Sequence, residues 1–294
     1  MKRRYLQIIL AAVLFLLALG LTLYPVISNY YNQRHRSQIQ TAYREVLEQT
    51  DTAELKRIRE QAAAYNAAIT PGAAEEAYSQ ESIIAASNDY VNQLDLGGTG
   101  IMGYVVIPKI DVDLPIYHGT GSDALDRGAG HLLGSSLPVG GESTHTIITG
   151  HSGMASQKMF TDLEQLQEGD IFYLRVLDET LAYEVKAVHT VLPHDTTYLG
   201  IVPGQDLCTL VTCTPTGVNT HRLLVQGSRI PYEPIIEAQN ADSEHEVAAS
   251  SHWEDQYCLG IRLGLTAMVS IVLLLNVFLY LRKKPQKGGR YVRK

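Results

Sequence analysis

TLVTCTPTGVNTHRLLVQGSR, residues 209–229, is the stretch on which the reading of this chain turns. Two β-branched, apolar runs, Cys208–Cys213 and Leu223–Gln226, flank a break containing Pro215, Gly217 and Asn219. Short runs of this kind bounded by Pro, Gly and Asn read as strands joined by a turn. The turn begins directly after Cys213, so the first strand delivers that thiol to its own tip, whereas Cys208 sits within the strand. An odd separation sends the two side chains to opposite faces, which makes them poor disulfide partners.

The same texture extends upstream. Tyr104–Ile107, Leu114–Tyr117, Thr146–Thr149, Ile171–Val176 and Ala182–Val191 are further strand-like runs. Seven or eight strands over roughly 130 residues with little helix favour a mainly β, closed or nearly closed barrel across residues 99–232. One short helix is expected near Lys158–Leu166. Before the barrel, Ile39, Tyr43 and Val46, then Leu55, Ile58, Ala62 and Tyr65, recur at helical spacing, so residues 28–98 read as a helical stalk. Asp51 and Glu54 have capping-box spacing between its helices. Pro71-Gly72 interrupts the pattern, Ala73–Leu94 is helical again, and Gly97–Gly100 forms a hinge-like boundary.

Further out lie two uncharged apolar runs, Leu6–Leu23 and Leu263–Leu281. Each approaches the roughly 20 residues that a bilayer-spanning helix needs. Ten of the 24 basic residues lie beyond these runs at the chain ends, Lys2 to Arg4 at one and Arg282 to Lys294 at the other, so the 14 between the runs face all 31 acids. The positive-inside rule then places both ends in the cytoplasm and the acidic body outside. The expected plan is a cytoplasmic end at 1–4, transmembrane helices at 5–27 and 259–281, an acidic linker at 233–258 and a basic tail at 282–294. A cleaved signal peptide competes for the first run, but that run is longer than a signal's apolar region and no small-x-small site follows it.

Composition excludes several classes. Three cysteines cannot build a disulfide scaffold. A net charge of −7 argues against nucleic acid, whose binding runs on Lys and Arg at phosphates. No HExxH or CxxC spacing joins His145, His151 and His221, so no metal or other cofactor is expected, and His118 and His131 read as structural. Cys208 reads as a buried small hydrophobe, and Cys258 stands at the entrance to the second apolar run.

Cys213 gains meaning from its company. His151 lies in the Gly-flanked loop after Thr146–Thr149, and Arg222 starts the strand after the turn. A thiol is a nucleophile as its thiolate, which needs a nearby cation or base. A histidine supplies one and can protonate a leaving amine; a guanidinium can hold a developing oxyanion. Together they would form an acyl-transfer site. Taken singly, His151 is as well a loop hydrogen-bonder and Arg222 a surface ion-pair partner.

TLVTC (209–213), ITGHSG (148–153) and NTHRLLVQG (219–227), with GYVVIPKIDVDLPIYHGT (103–120) and GAGHLLGSSLPVGGESTHTIITGHSG (128–153), resemble the class C, pilin-polymerising sortases. The resemblance covers residues 100–230 and, in outline, the two-span layout. It implies an eight-stranded sortase-type barrel with Cys213 as nucleophile, His151 as general acid/base and Arg222 as oxyanion or substrate stabiliser. The implied reaction cleaves an LPXTG-like sorting signal between Thr and Gly and passes the acyl group to a lysine of a pilin, from a catalytic domain outside the cell. Housekeeping-type wall anchoring and a non-catalytic membrane-tethered β module are the alternatives. Papain-like, caspase-like and L,D-transpeptidase strings are absent. The sequence departs from class C in one respect: no Asp-Pro-aromatic lid anchor occurs between 60 and 98, the nearest features being Thr70-Pro71-Gly72, Tyr78 and Tyr90.

Overall fold

The structure is a computed structural model that describes residues 2–70, 72–79, 88–154, 156–234, 261–266 and 268–273. Two compact units emerge, Asn29–Trp253 and a smaller one of Met1–Ser28 with Glu254–Lys294. The larger carries the barrel and the site.

Helices α1 (Lys2–Gln49), α2 (Thr52–Ala67), α3 (Ala73–Ser79) and α4 (Asn88–Val91) precede the barrel, and α5 (Ser122–Leu125) lies within it. The strands are β1 (Ile101–Ile107), β2 (Val112–His118), β3 (Ala129–His131), β4 (Thr144–Thr149), β5 (Ile171–Val176), β6 (Glu179–Val191), β7 (Asp206–Thr214) and β8 (His221–Ile230). They close in the order β1-β2-β3-β4-β7-β8-β6-β5. All seven expected strands are present, and β3 is the eighth.

The pairing of β4, β7 and β8 positions the candidate site. β4 and β7 pair in parallel, Thr144↔Asp206 through Thr149↔Val211, while β7 and β8 are antiparallel, with Cys213↔Arg222 in register. Parallel strands end on the same side, and an antiparallel neighbour begins there, so the ends of β4 and β7 and the start of β8 meet at one rim. β7 is buried on both faces. Cys208 and Leu210 join the main core with Ile148, Phe172 and Val225. Val211 faces the other way and packs with Ile147, Leu224, Val191, Leu199 and Leu132 in a second cluster outside the barrel wall.

The stalk is docked on the barrel. Asn66 of α2 donates to Leu137 O (3.1 Å) and accepts from Leu137 N (2.7 Å), clamping the main chain from both sides. Tyr43 of α1 meets Tyr104 edge-to-face at 5.5 Å, and Arg59 pairs with Asp178 and Glu179.

Four expectations change. The capping box does not form: Asp51 precedes α2 but makes no side-chain cap bond, and Glu54 instead accepts from Arg57 at 2.6 and 2.7 Å. The helix near Lys158–Leu166 shrinks to a 3-10 turn at Leu163–Gln165. Ala73–Leu94 is helical only in α3 and α4 among the described residues. Leu6–Leu23 falls within α1, which runs on to Gln49, and among the described residues no helix is long and apolar enough to cross a membrane; the structure therefore does not support the two spans. Residues 235–260, 267 and 274–294, including much of the second expected span, the basic tail, most of the acidic linker and Cys258, lie outside the described residues.

Candidate functional site

The rim where β4, β7 and β8 meet carries His151, Cys213 and Arg222. Continuing the β4–β7 register by two residues sets His151 beside Cys213 on the same face, since alternate strand residues share a side. The backbone keeps the two strands together past the last ladder pair. Gly150 N donates to Val211 O (3.0 Å), Thr212 Oγ1 to Gly150 O (2.7 Å) and Ser152 Oγ to Cys213 O (2.7 Å). Neighbouring strands lie about 4.8 Å apart, so the backbone of the His151 loop runs alongside that of Cys213. On the other side Arg222 is the direct cross-strand partner of Cys213, which puts their Cβ atoms about 5 Å apart. All three side chains are half-buried.

Local sequence explains the loop that holds His151. A Cβ on Gly150 would lie 2.6 Å from the Phe160 ring, so only glycine admits that ring under the loop. Phe160 N then donates to His151 O (2.9 Å), and Thr161 Oγ1 accepts from Gly153 N (3.0 Å). Beneath them Lys158 pairs at 3.2 Å with the fully buried Asp162. The imidazole edge faces an acid as well: His151 Nε2 lies 3.6 Å from Asp126 Oδ1, and with the two side chains 37% and 64% exposed water screens the pair. Gln157 holds the end of α5 by donating to Asp126 O at 2.7 Å. Sequence reasoning missed Asp126, which lies 25 positions from His151 and carries no motif. Arg222 Nη1 donates to His221 O (3.2 Å), which keeps the guanidinium near the β7–β8 turn.

α3 lies over this face. Gly134 (φ +86°) brings its backbone so close to Ala73 that a Cβ would sit 2.6 Å from Ala73 O, a contact and a backbone angle that suit glycine. Ala74 packs into the cluster of Ile147, Val211 and Leu224, and Tyr78 packs against it. Burial pushes the Tyr78 hydroxyl up to about 12; Arg222 nearby opposes that shift and Cys213 adds to it. The hydroxyl has no hydrogen bond of good geometry among the described residues. Tyr78 of the stalk thus stands beside the thiol and the guanidinium, although no Asp-Pro-aromatic string precedes the barrel.

The remaining histidines and Cys208 have structural surroundings. His131 is sealed: Nε2 faces Ser136 O (2.9 Å) and Nδ1 faces the Tyr90 hydroxyl (2.8 Å), and burial pulls its pKa down to about 4. His145 lies between Gly200 O (2.8 Å) and Thr209 Oγ1 (2.7 Å), and burial lowers its pKa too. His118 Nε2 reaches Gln93 O at 2.7 Å. Cys208 is fully buried, with its thiol pushed well above the usual range by that burial. Among the described residues no group of three His, Cys, Asp or Glu could hold a metal ion.

The family described as the Sortase domain matches residues 105–230. Among solved structures, Sortase C of Streptococcus pneumoniae, described in connection with catalysis and pilin substrate specificity, is 45% identical. The match covers 66% of this chain and 97% of that one, with a TM-score of 0.61. The pilus-related Sortase C of Group B Streptococcus is 41% identical, covering 65% and 96% of the two chains, with a TM-score of 0.59. Among curated proteins, Sortase A of Streptococcus agalactiae serotype III is 29% identical over 150 residues, half of this chain and 58% of the relative's length.

Proposed function

The chain belongs to the sortase family of cysteine transpeptidases, and from that premise we propose that Cys213, His151 and Arg222 cleave an LPXTG-like sorting signal and join it to a lysine of a pilin subunit. The observation that supports this reading is the β4–β7–β8 register, which brings the chain positions of the three residues to one rim.

In the proposed reaction the Cys213 sulfur, its proton passed to His151, attacks the Thr carbonyl carbon of the signal. The carbonyl oxygen takes up the negative charge, and Arg222 donates to it. When the tetrahedral centre collapses, the bond to Gly breaks and His151 gives its proton to the departing amine. The thioester is opened by a lysine ε-amine, whose proton His151 accepts as the C–S bond breaks, leaving an isopeptide bond and the free enzyme. The ordered, largely apolar face behind Cys213 suits the acyl part of an extended peptide, and α3 with Tyr78 must move aside to admit it. A pilin substrate is favoured because the similar structures include a pilus-related sortase at 41% identity and, at 45%, one described in connection with pilin substrate specificity. The two apolar runs and basic ends support a membrane-anchored enzyme whose barrel works outside the cell and whose ends lie in the cytoplasm.

A fluorogenic LPXTG peptide assay compares the full chain with Cys213→Ala. Cleavage by the parent and none by the variant is the expected result. No cleavage by either, with the peptide taken from a genuine pilin tail, would instead favour a tethered module without activity.

A further inference from the structure

Thr149 is the last residue of β4, on the same face as Ile147 and His151. Its parallel partner is Val211, and Ile147, Val211 and Leu224 form an apolar floor on which Ala74 and Tyr78 of α3 pack. In that setting the Thr149 hydroxyl is buried, and among the described residues it is the one buried serine or threonine hydroxyl without a hydrogen-bond partner. The hydroxyls around it are bonded. Thr212 donates to Gly150 O, Ser152 to Cys213 O, Thr146 to Leu137 O, and Thr209 meets His145. A buried hydroxyl left unpaired is costly, and valine would fill the same volume without that cost. Its presence calls for a partner that arrives from outside the chain.

We infer that this partner is the main chain of the peptide substrate, so that Thr149 is a substrate-binding residue one step behind the catalytic trio; this rests on the function proposed above. His151, Cys213 and Arg222 stand at strand tips, and the apolar floor of Ile147, Val211 and Leu224 runs back from them along β4, β7 and β8. The acyl half of the peptide, which stays on the enzyme after cleavage, must lie along that floor. Two strand residues span about 6.6 Å, which sets Thr149 about two peptide residues on the N-terminal side of the scissile carbonyl. There its Oγ1 would bond a peptide N–H or C=O that enters the apolar cleft in need of a partner. The hydroxyl would contribute at every sequence variant of that peptide position, because it reads backbone and not side chain.

The test compares Thr149→Val with Thr149→Ser in the full chain, using steady-state cleavage of a fluorogenic LPXTG peptide and alkylation of Cys213 by iodoacetamide. Thr149→Val is expected to lose about tenfold or more in kcat/KM, mostly through KM. Its alkylation rate should match the parent's, and its unfolding midpoint should be no lower, since it removes an unpaired buried hydroxyl. Thr149→Ser, which keeps the oxygen, should stay within about threefold. An unchanged KM in Thr149→Val would overturn the inference, as would a serine variant as impaired as the valine one. A parent that cleaves no sorting-signal peptide, though its Cys213 alkylates normally, strikes at the proposed function and not at this hydroxyl alone.

Discussion

β7, and β4 with the loop that follows it, each carry one reactive residue type twice, once in the wall of the barrel and once at the rim. On β7, Cys208 is fully buried with its thiol pushed well up, whereas Cys213, five residues on, is half-open beside Arg222. On β4, His145 is locked between Gly200 O and Thr209 Oγ1, while His151, six residues on, has left the ladder and faces solvent and Asp126. The chemistry of these residues is set by distance from the strand end. Inside the wall every polar atom of His145 is bonded and no reactant can enter. At the rim the ladder has run out, the side chains keep their donors and lone pairs, and a substrate can supply the missing partners.

The contrast is broken most severely by exchanging the two cysteines' fates. Cys213→Ala should lose more than about 10⁴-fold in peptide cleavage, while Cys208→Ala should stay within about threefold and instead lose about 1–2 kcal/mol of unfolding free energy, measured by urea titration. The histidines should divide in the same way. His151→Gln is expected to lower kcat/KM by about 10³-fold, whereas His145→Gln should spare catalysis and lower stability by about 1–3 kcal/mol. Equal loss of activity in both would erase the distinction between wall and rim.

The interior should also announce itself in the pH dependence of stability. His131 titrates near 4 when folded and near 6.5 when unfolded, so between those values the unfolded chain binds the extra proton. Stability should therefore fall as pH drops from about 6.5 to about 4, by up to about 3 kcal/mol from this one group. His145 adds in the same direction. Replacing His131 with Gln should flatten the slope, and an unchanged slope would mean that other groups produce it. The smallest effect concerns the cover on the rim: Tyr78→Ala should raise the rate of Cys213 alkylation by about tenfold or less, with no rise if Tyr78 does not shield the thiol.

How much of this was legible depends on how local each signal is. The seven longer strands were readable because β-branched runs between Pro, Gly and Asn are local patterns. β3, Ala129–His131, was not, being three residues with two small ones and no alternation to detect. The helix read at Lys158–Leu166 fails because Lys158 turns to the buried Asp162 and the chain serves as a bed for the His151 loop, a tertiary demand. Asp51 and Glu54 have the capping spacing, yet Arg57 competes for Glu54 and wins. The trio could be nominated because each member sits next to a turn. What surrounds it could not: α3 is seven residues long, too short to display a period, and Tyr78, Asp126 and Thr149 acquire meaning only from neighbours distant in sequence.

In the proposed reaction the sulfur of Cys213 carries the acyl half of the substrate between the two steps. Intact-protein mass spectrometry after mixing the full chain with an LPXTG-tailed peptide, quenched in acid and mapped by digestion, reads this directly. The expected result is an adduct on Cys213 equal to the peptide up to its Thr, released by hydroxylamine and absent from Cys213→Ala. Peptide cleavage with no acyl group at Cys213 under rapid quench, or with the group on another residue, would contradict it.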